Sequence, residues 1–291
     1  MQNKLTYLGH AAFSIAQGGY TLVIDPYADG TRNYPPLRVT ANRVIYSHKH
    51  EDHYNPNAVT IEETESAAFP VAIVDSFHDE ENGAKRGTNL VHIVQTQNLR
   101  ICHLGDLGHL LNDEMLAIIG KVDLLMIPVG GFYTIDAADA WHVIDQIAPS
   151  SVIPMHYNLT QDEDAPTSTV QPFLDMLQPG YETKYIQENS IDLADILPGY
   201  VYVLKPMLPT TMHLAQKQPF FKCAAFLFLS TFVKQGVFMY PVFPLPAQRQ
   251  IGRAKPLVHP TPLAYCQTKH KSRCRCPLSK HTRHRAHTRL A

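Results

Sequence analysis

The stretch that most constrains this chain is Ser47-His48-Lys49-His50-Glu51-Asp52-His53, where three histidines and an aspartate fall within six residues as H-x-H-x-D-H. It follows Arg43-Val44-Ile45-Tyr46, a β-branched and aromatic run that reads as a short strand. On an extended backbone a spacing of two points His48 and His50 to the same side. Two imidazoles so placed can close on one metal ion at about 2.0–2.1 Å. Asp52 and His53 come one step later, where the chain turns, and can face a second ion nearby. A mixture of imidazole and carboxylate suits zinc. The competing reading is a His-rich surface turn without metal, and four ligand-type residues at this spacing weigh against it.

Charge divides the chain. Residues 1–205 hold all 26 Asp and Glu against 11 Lys and Arg, a formal charge of −15, whereas residues 206–291 hold the other 14 Lys and Arg and no acid. Folded surfaces usually mix both signs, so the expected division is a folded body over 1–205 and an irregular, basic, disordered extension over 206–291. That extension is rich in proline, shows no clean period over Phe220–Tyr240, and ends in Arg273-Cys274-Arg275-Cys276 and His281-Thr282-Arg283-His284. A shifted reading frame would produce such a break. A basic nucleic-acid arm is the functional alternative, and a zinc site from Cys274, Cys276, His281 and His284 is weaker because the usual ligand spacing is missing. The start, Met1 to Leu8, carries no charged and apolar leader. The longest apolar run, Cys223–Val233, is too short for a span of about 20 residues. With one cysteine, Cys102, in the body, the expectation is a cytoplasmic protein without internal disulfides.

Along the body, strands are expected over 4–10, 12–15 and 20–24, with a Gly18-Gly19 turn and a stop at Asp25-Pro26. A loop should fill 28–41, and the stretch from Asn57 to Pro70 is short, polar and irregular. Further strands are expected at Val71–Val74, Asn89–Val94, Leu99–His103, Val122–Val129, Ser151–Met155 and Tyr200–Leu204. Asn112 and Asp136 should cap helices running to Ile119 and Ile147, and Thr167–Leu177 should form a third. Each strand after the central motif delivers another ligand type at its end: His78, then Asp106, then His156. Loops at strand ends are where function concentrates. Asp106 stands between Gly105 and Leu107-Gly108, and a carboxylate can bridge two ions where an imidazole cannot.

The order H-x-H-x-D-H, His, Gly-Asp, Pro-Met-His resembles the metallo-β-lactamase superfamily. Tyr7-Leu8-Gly9-His10, Ile24-Asp25-Pro26, His103-Leu104-Gly105-Asp106-Leu107-Gly108-His109, Ile127-Pro128-Val129-Gly130-Gly131 and Ile153-Pro154-Met155-His156-Tyr157 look like its branch of cytoplasmic Zn-dependent hydrolases related to ascorbate-6-phosphate lactonase. The resemblance covers about residues 4–204. It implies an α/β (α+β) fold, a four-layer αββα sandwich with the site at one edge. It also implies His48, His50 and His78 on one metal, Asp52, His53 and His156 on the other, and Asp106 between them. Two divalent ions per chain follow, zinc expected, with manganese or iron as alternatives.

The expected activity is hydrolysis of an ester, lactone or phosphoester in a small, anionic substrate. A hydroxide held by two zinc ions would be the nucleophile, with Asp52 and Asp106 as the catalytic carboxylates. Arg86, His109 and Tyr133 are candidate substrate-binding residues. Arg86 could clamp an anion or could pair with Asp79 or Glu80. His103 and His109 lean towards supporting the ligands, His10 towards a satisfied structural histidine, and Cys102 towards the core. Two other readings are carried. One is a di-iron redox protein of the same fold, against which His50 argues, because that branch carries glutamate there. The other is a non-catalytic binding protein whose basic tail holds nucleic acid. The acidic body itself does not favour nucleic acid. The remaining expectations on partners are no membrane and a possible homo-oligomer.

Overall fold

A computed structural model describes residues 3–31, 34–159 and 165–207. The expected extension over 206–291 therefore lies outside the described residues, apart from Pro206 and Met207.

In chain order the strands are β1 (Lys4–Gly9), β2 (Ala12–Gln17), β3 (Tyr20–Ile24), β4 (Val39–Ala41), β5 (Arg43–Ile45), β6 (Val59–Ile61), β7 (Val71–Phe77), β8 (Thr88–Gln95), β9 (Arg100–His103), β10 (Leu124–Pro128), β11 (Ser151–Met155), β12 (Glu182–Ile186), β13 (Ser190–Asp192) and β14 (Tyr200–Leu204). Five of them form one sheet in the order β13-β1-β2-β3-β5. Seven form a second in the order β12-β14-β11-β10-β9-β8-β7, and β4 pairs with β6 in a small ribbon. The helices are α1 (Asp113–Ile119), α2 (Ala137–Ile147) and α3 (Gln171–Asp175).

Alternation along the strands decides which residues meet. Val94, Ile101, Leu124, Met126 and Ile153 turn one face of the seven-stranded sheet towards Leu5, Phe13, Ile15, Leu22 and Ile24 of the five-stranded sheet. Their neighbours Ile93, Cys102, Leu125, Ile127 and Val152 turn the other face towards the helices. Strands β10 and β11 are buried at every position, which is why they read as continuous apolar runs rather than alternating ones. Cys102 is fully buried here, and burial pushes its thiol up to about 12.

The two expected caps hold. Asn112 accepts from the Met115 N–H at 2.9 Å, and Asp136 accepts from Ala138 and Asp139 at 2.9 and 3.0 Å. The third helix is shorter than the expected 167–177. Residues before it bond to the site loops instead: Ser168 N–H donates to Gly130 and Asn158 N–H to Ser168, and Val170 at the cap position supplies no side-chain acceptor. The outer face of the five-stranded sheet, at Leu8, Ala12 and Val23, is covered by Tyr27, Tyr34 and Leu37, the β4–β6 ribbon and a 3-10 turn at Pro56–Ala58. Among the described residues that layer holds no α-helix, in keeping with the short polar segment there. Nor is any helix among them long and apolar enough to cross a membrane.

Strand direction places the functional edge. β7 and β9 are both antiparallel to β8, and β9, β10 and β11 are mutually parallel. In the other sheet β1 and β3 are both antiparallel to β2, and β5 is parallel to β3. The C-terminal ends of β7, β9, β10 and β11 therefore share one edge of their sheet, and those of β1, β3 and β5 share one edge of theirs.

Trp141 ties the helical layer together. Its ring stacks on Phe173 with centroids 4.8 Å apart, and its indole N–H donates to the Phe173 carbonyl at 2.9 Å. Trp141→Ala should lower unfolding free energy by about 3–5 kcal/mol, read from the midpoint of chemical denaturation. A loss under about 1 kcal/mol would show that α2 and α3 are held by other contacts.

Candidate metal centre

The residues at this edge converge on Asp106. Its Oδ2 lies 3.1 Å from His53 Nε2, 3.1 Å from His78 Nε2, 3.2 Å from His156 Nε2 and 3.9 Å from His48 Nε2. Three groups of side chains bring their ligand atoms within 4.8 Å of one another: His48, His50 and His78; His10, Asp52, His53 and His156; and His48, His53 and Asp106. The first is one of the two expected ligand sets. The second is the other with His10 added, and the third sets Asp106 between the two.

A metal fits this arrangement on chemical grounds. His48 Nε2, His53 Nε2 and Asp106 Oδ1 are buried without a hydrogen-bond partner, each a cost of about 1–3 kcal/mol if left so. The far side of two rings is already committed. His48 Nδ1–H donates to Ser47 Oγ at 2.9 Å, and His53 Nδ1–H donates to Asp25 Oδ2 at 3.0 Å. The inward nitrogen of His48 then presents a lone pair, and that of His53 does so once its proton leaves, the state a metal requires. Burial pushes His48 down to about 3, so it is neutral at physiological pH. Burial alone would lower His53 too, but the carboxylates of Asp106 and Asp25 on either side hold it well above its ordinary value. An arriving cation therefore displaces a proton there.

The ligands are held by main chain and by buried polar side chains. Asp106 N–H donates to Asn89 Oδ1 at 2.9 Å, and Asn89 is itself fixed by Ser76 Oγ and the Leu104 carbonyl. His103 Nε2–H donates to the Ala11 carbonyl across the two sheets, while its Nδ1 accepts from Gly105 N–H, the supporting role expected of it. Gly108 and Gly130 are close-approach positions. A Cβ at Gly108 would stand 2.4 Å from the backbone at His78 and Asp79, and one at Gly130 would stand 2.2 Å from the His156 carbonyl. His156 N–H also donates to the His10 carbonyl, joining the two sheets at the site.

Two residues that the sequence reading passed over belong here. His10 is not a structural bystander: its Nε2–H donates to Asp52 Oδ2 at 3.1 Å inside the second group. Asp25, read as a strand stop and as part of the Ile24-Asp25-Pro26 resemblance, accepts from Ser47 N–H, Ser47 Oγ–H and His53. Burial raises the Asp25 carboxyl, but these donors outweigh it and hold it at about 2. The mark these residues share is conformational and shows only in the folded chain. His10, Asp25 and His156 all have positive φ, at 56°, 49° and 53°, a strained setting for residues other than glycine that collects at functional sites.

The cleft over Asp106 measures about 350 Å³ and is lined by His50, Asp52, His78, Lys85, Arg86, Tyr133 and His156. Arg86 does not pair with the side chain of Asp79 or Glu80. Its guanidinium donates to the Phe132 carbonyl at 2.9 Å and lies 5.8 Å from the Tyr133 ring centroid. His109, expected at the substrate, is placed elsewhere: its Nε2 accepts from Phe77 N–H and its Nδ1–H donates to the Leu110 carbonyl. Both ring nitrogens are used by main chain, so His109 fastens β7 rather than facing the cleft. The 79–86 loop is shaped by Asp79, whose carboxylate accepts N–H bonds from Glu81, Gly83, Lys85 and Arg86. Burial raises this carboxyl, and the four donors bring it down to about 2.

The family model of the beta-lactamase superfamily domain matches residues 4–156, and the chain belongs to that superfamily, with its metallo-β-lactamase fold. More particularly, it is a metal-dependent hydrolase, similar to a metal-dependent hydrolase of Desulforamulus reducens at 26% identity over 223 residues, which span 61% of this chain and 97% of the relative. A metal-dependent hydrolase of Hyperthermus butylicus is 30% identical over 193 residues, 52% of this chain and 82% of the relative. A solved Thermotoga maritima structure, assigned as a Zn-dependent hydrolase of the metallo-beta-lactamase superfamily, superposes with a TM-score of 0.54 at 29% identity. It covers 69% of this chain and 97% of its own.

Two expectations follow from the supports. Asp25→Asn loses one of the acceptors that orient Ser47 and His53, and metal affinity should fall about 10–100-fold, measured by competition with a chromogenic chelator; unchanged affinity would remove Asp25 from the site. Asp79 has a folded value below its ordinary 3.8, so its contribution is present above 3.8 and lost as pH falls towards 2. Proteolytic nicking between residues 80 and 86 should rise across that window in wild type, and in Asp79→Ala it should be present at neutral pH.

Proposed function

We propose that the chain holds two divalent ions, zinc in its native state, and hydrolyses an ester, lactone or phosphoester bond of a small substrate. The observation that supports this best is the pair of ligand groups sharing the single carboxylate of Asp106. His48, His50 and His78 would hold one ion, and Asp52, His53 and His156 the other. Bound there, divalent ions acidify water towards neutral pH and polarise a carbonyl or phosphoryl oxygen.

The chain's own side chains do the rest. Asp52 keeps a carboxylate oxygen on the cleft side while His10 fixes its orientation from behind. Asp52 would accept a proton from the attacking water and hold the nucleophile in line. Arg86 and Tyr133 line the same cleft as Asp52, where a guanidinium held by a main-chain carbonyl is positioned to orient an anionic group. Buried packing around Cys102, Leu104 and Leu107 keeps the ligand-bearing loop rigid.

Asp106→Asn should cost activity by at least a hundredfold and reduce bound metal, whereas Cys102→Ser should alter stability and leave turnover per folded protein near wild type. Elemental analysis of zinc-reconstituted protein should give two ions per chain in wild type and fewer in Asp106→Asn. Less than one ion per wild-type chain, or equal activity and metal content in the two variants, would overturn the reading. A screen of lactones, carboxylic esters and phosphodiesters on the zinc-loaded protein identifies the bond class.

A further inference from the structure

A second cleft, about 500 Å³, opens beside the metal centre and shares His50 and Arg86 with it. Its wall is aromatic. Tyr46 and Tyr54 meet with ring centroids 4.5 Å apart at 50°, and Tyr54 is 39% exposed. The cleft also carries Lys49, the residue between the two histidines of the H-x-H motif.

Charge sets this cleft apart. All 26 acidic side chains of the chain lie in residues 1–205, yet no Asp or Glu lines it, while Lys49 and Arg86 do. The nearby Lys85 is neutralised by Glu80 and Glu81 at 2.6 and 3.0 Å. Neither Lys49 nor Arg86 forms a salt bridge among the described residues; Arg86 is held by the Phe132 carbonyl and lies over the Tyr133 ring, and Glu80 acts on it only beyond salt-bridge distance. Two cations without salt bridges beside an aromatic wall, in a body of formal charge −15, make a selective place for negative charge. The volume falls within the range of small-molecule pockets, and His50 lines both this cleft and the one over Asp106.

We infer that this cleft is a substrate subsite for a flat, apolar or aromatic body bearing a carboxylate or phosphate, with the bond to be cut lying over Asp106. The body stacks on Tyr54 and Tyr46, and the anion sits between Lys49 and Arg86. This rests on the hydrolase reading for the position of the bond but not for the binding itself, so the two can fail separately.

The test is calorimetric titration of the zinc-loaded full chain with 2-naphthoate, with 2-naphthyl phosphate, and with the uncharged 2-naphthamide. Both anions should bind at least tenfold more tightly than the amide. Lys49→Ala and Tyr54→Ala should each weaken the anions roughly three- to tenfold at low salt, the scale of one partly exposed charge pair or one stacking contact. Metal content should be unchanged in both, and Lys121→Ala, removing a remote surface charge, should bind as wild type. Which anion binds more tightly assigns the substrate to carboxylates or to phosphates. Equal affinity for anion and amide, or wild-type anion affinity in both Lys49→Ala and Tyr54→Ala, would overturn the proposal, since the anion would then be bound by the metal ions alone. Because binding is read directly, absence of turnover on every ester tested would count against the hydrolase reading and leave this result standing.

Discussion

A carboxylate with almost no access to water, facing three imidazole nitrogens within 3.2 Å, is the constraint on which the rest of this structure depends. Burying that many polar groups with few hydrogen bonds among them is unfavourable unless something compensates. A cation does so, and the surrounding chain is arranged to keep the ligands waiting for it. The sheets supply rigidity by their apolar middle, the loops supply the side chains, and buried polar residues from both sheets orient the loops.

The direction of the strands explains how so many ligands reach one point. No ligand sits inside a strand. Each follows the C-terminal end of one, and the parity of antiparallel pairings brings those ends to one edge of each sheet. His103 and the backbone bond from His156 to His10 then bridge the two edges. The centre is thus a joint between the sheets as well as a place for chemistry, and metal affinity and sheet packing are linked quantities.

Much of this was legible in the residues. The histidines and aspartates of the H-x-H-x-D-H stretch, with His78, Asp106 and His156, could be picked out because ligand types at strand ends form a pattern in one dimension. The caps at Asn112 and Asp136 were legible for the same reason, since a cap and the amides it serves are neighbours in sequence. What escaped depends on distance along the chain. His10 reaches Asp52 across 42 residues, and Asp25 reaches His53 across 28; neither has a local signature. His109 shows the opposite case: its place beside Gly108 suggested the substrate or the support of the ligands, while its two nitrogens bond to the main chain at Phe77, next to His78, and at Leu110. The strands β4, β6, β12 and β13 were missed because they are short or half exposed, and tertiary pairing rather than apolar alternation defines them.

One more property follows from the loop at residues 79–86. Its path is set chiefly by a single carboxylate receiving main-chain amides from residues 81, 83, 85 and 86. Shape and side-chain identity are therefore largely uncoupled there. Evolution, or an engineer, can rewrite the wall of the cleft at Lys85 and Arg86 without redrawing the backbone that carries it. The ligand-bearing turns allow no such freedom, because their backbones touch at Gly108 and Gly130. A scaffold divided in this way keeps one reaction while its clientele diversifies.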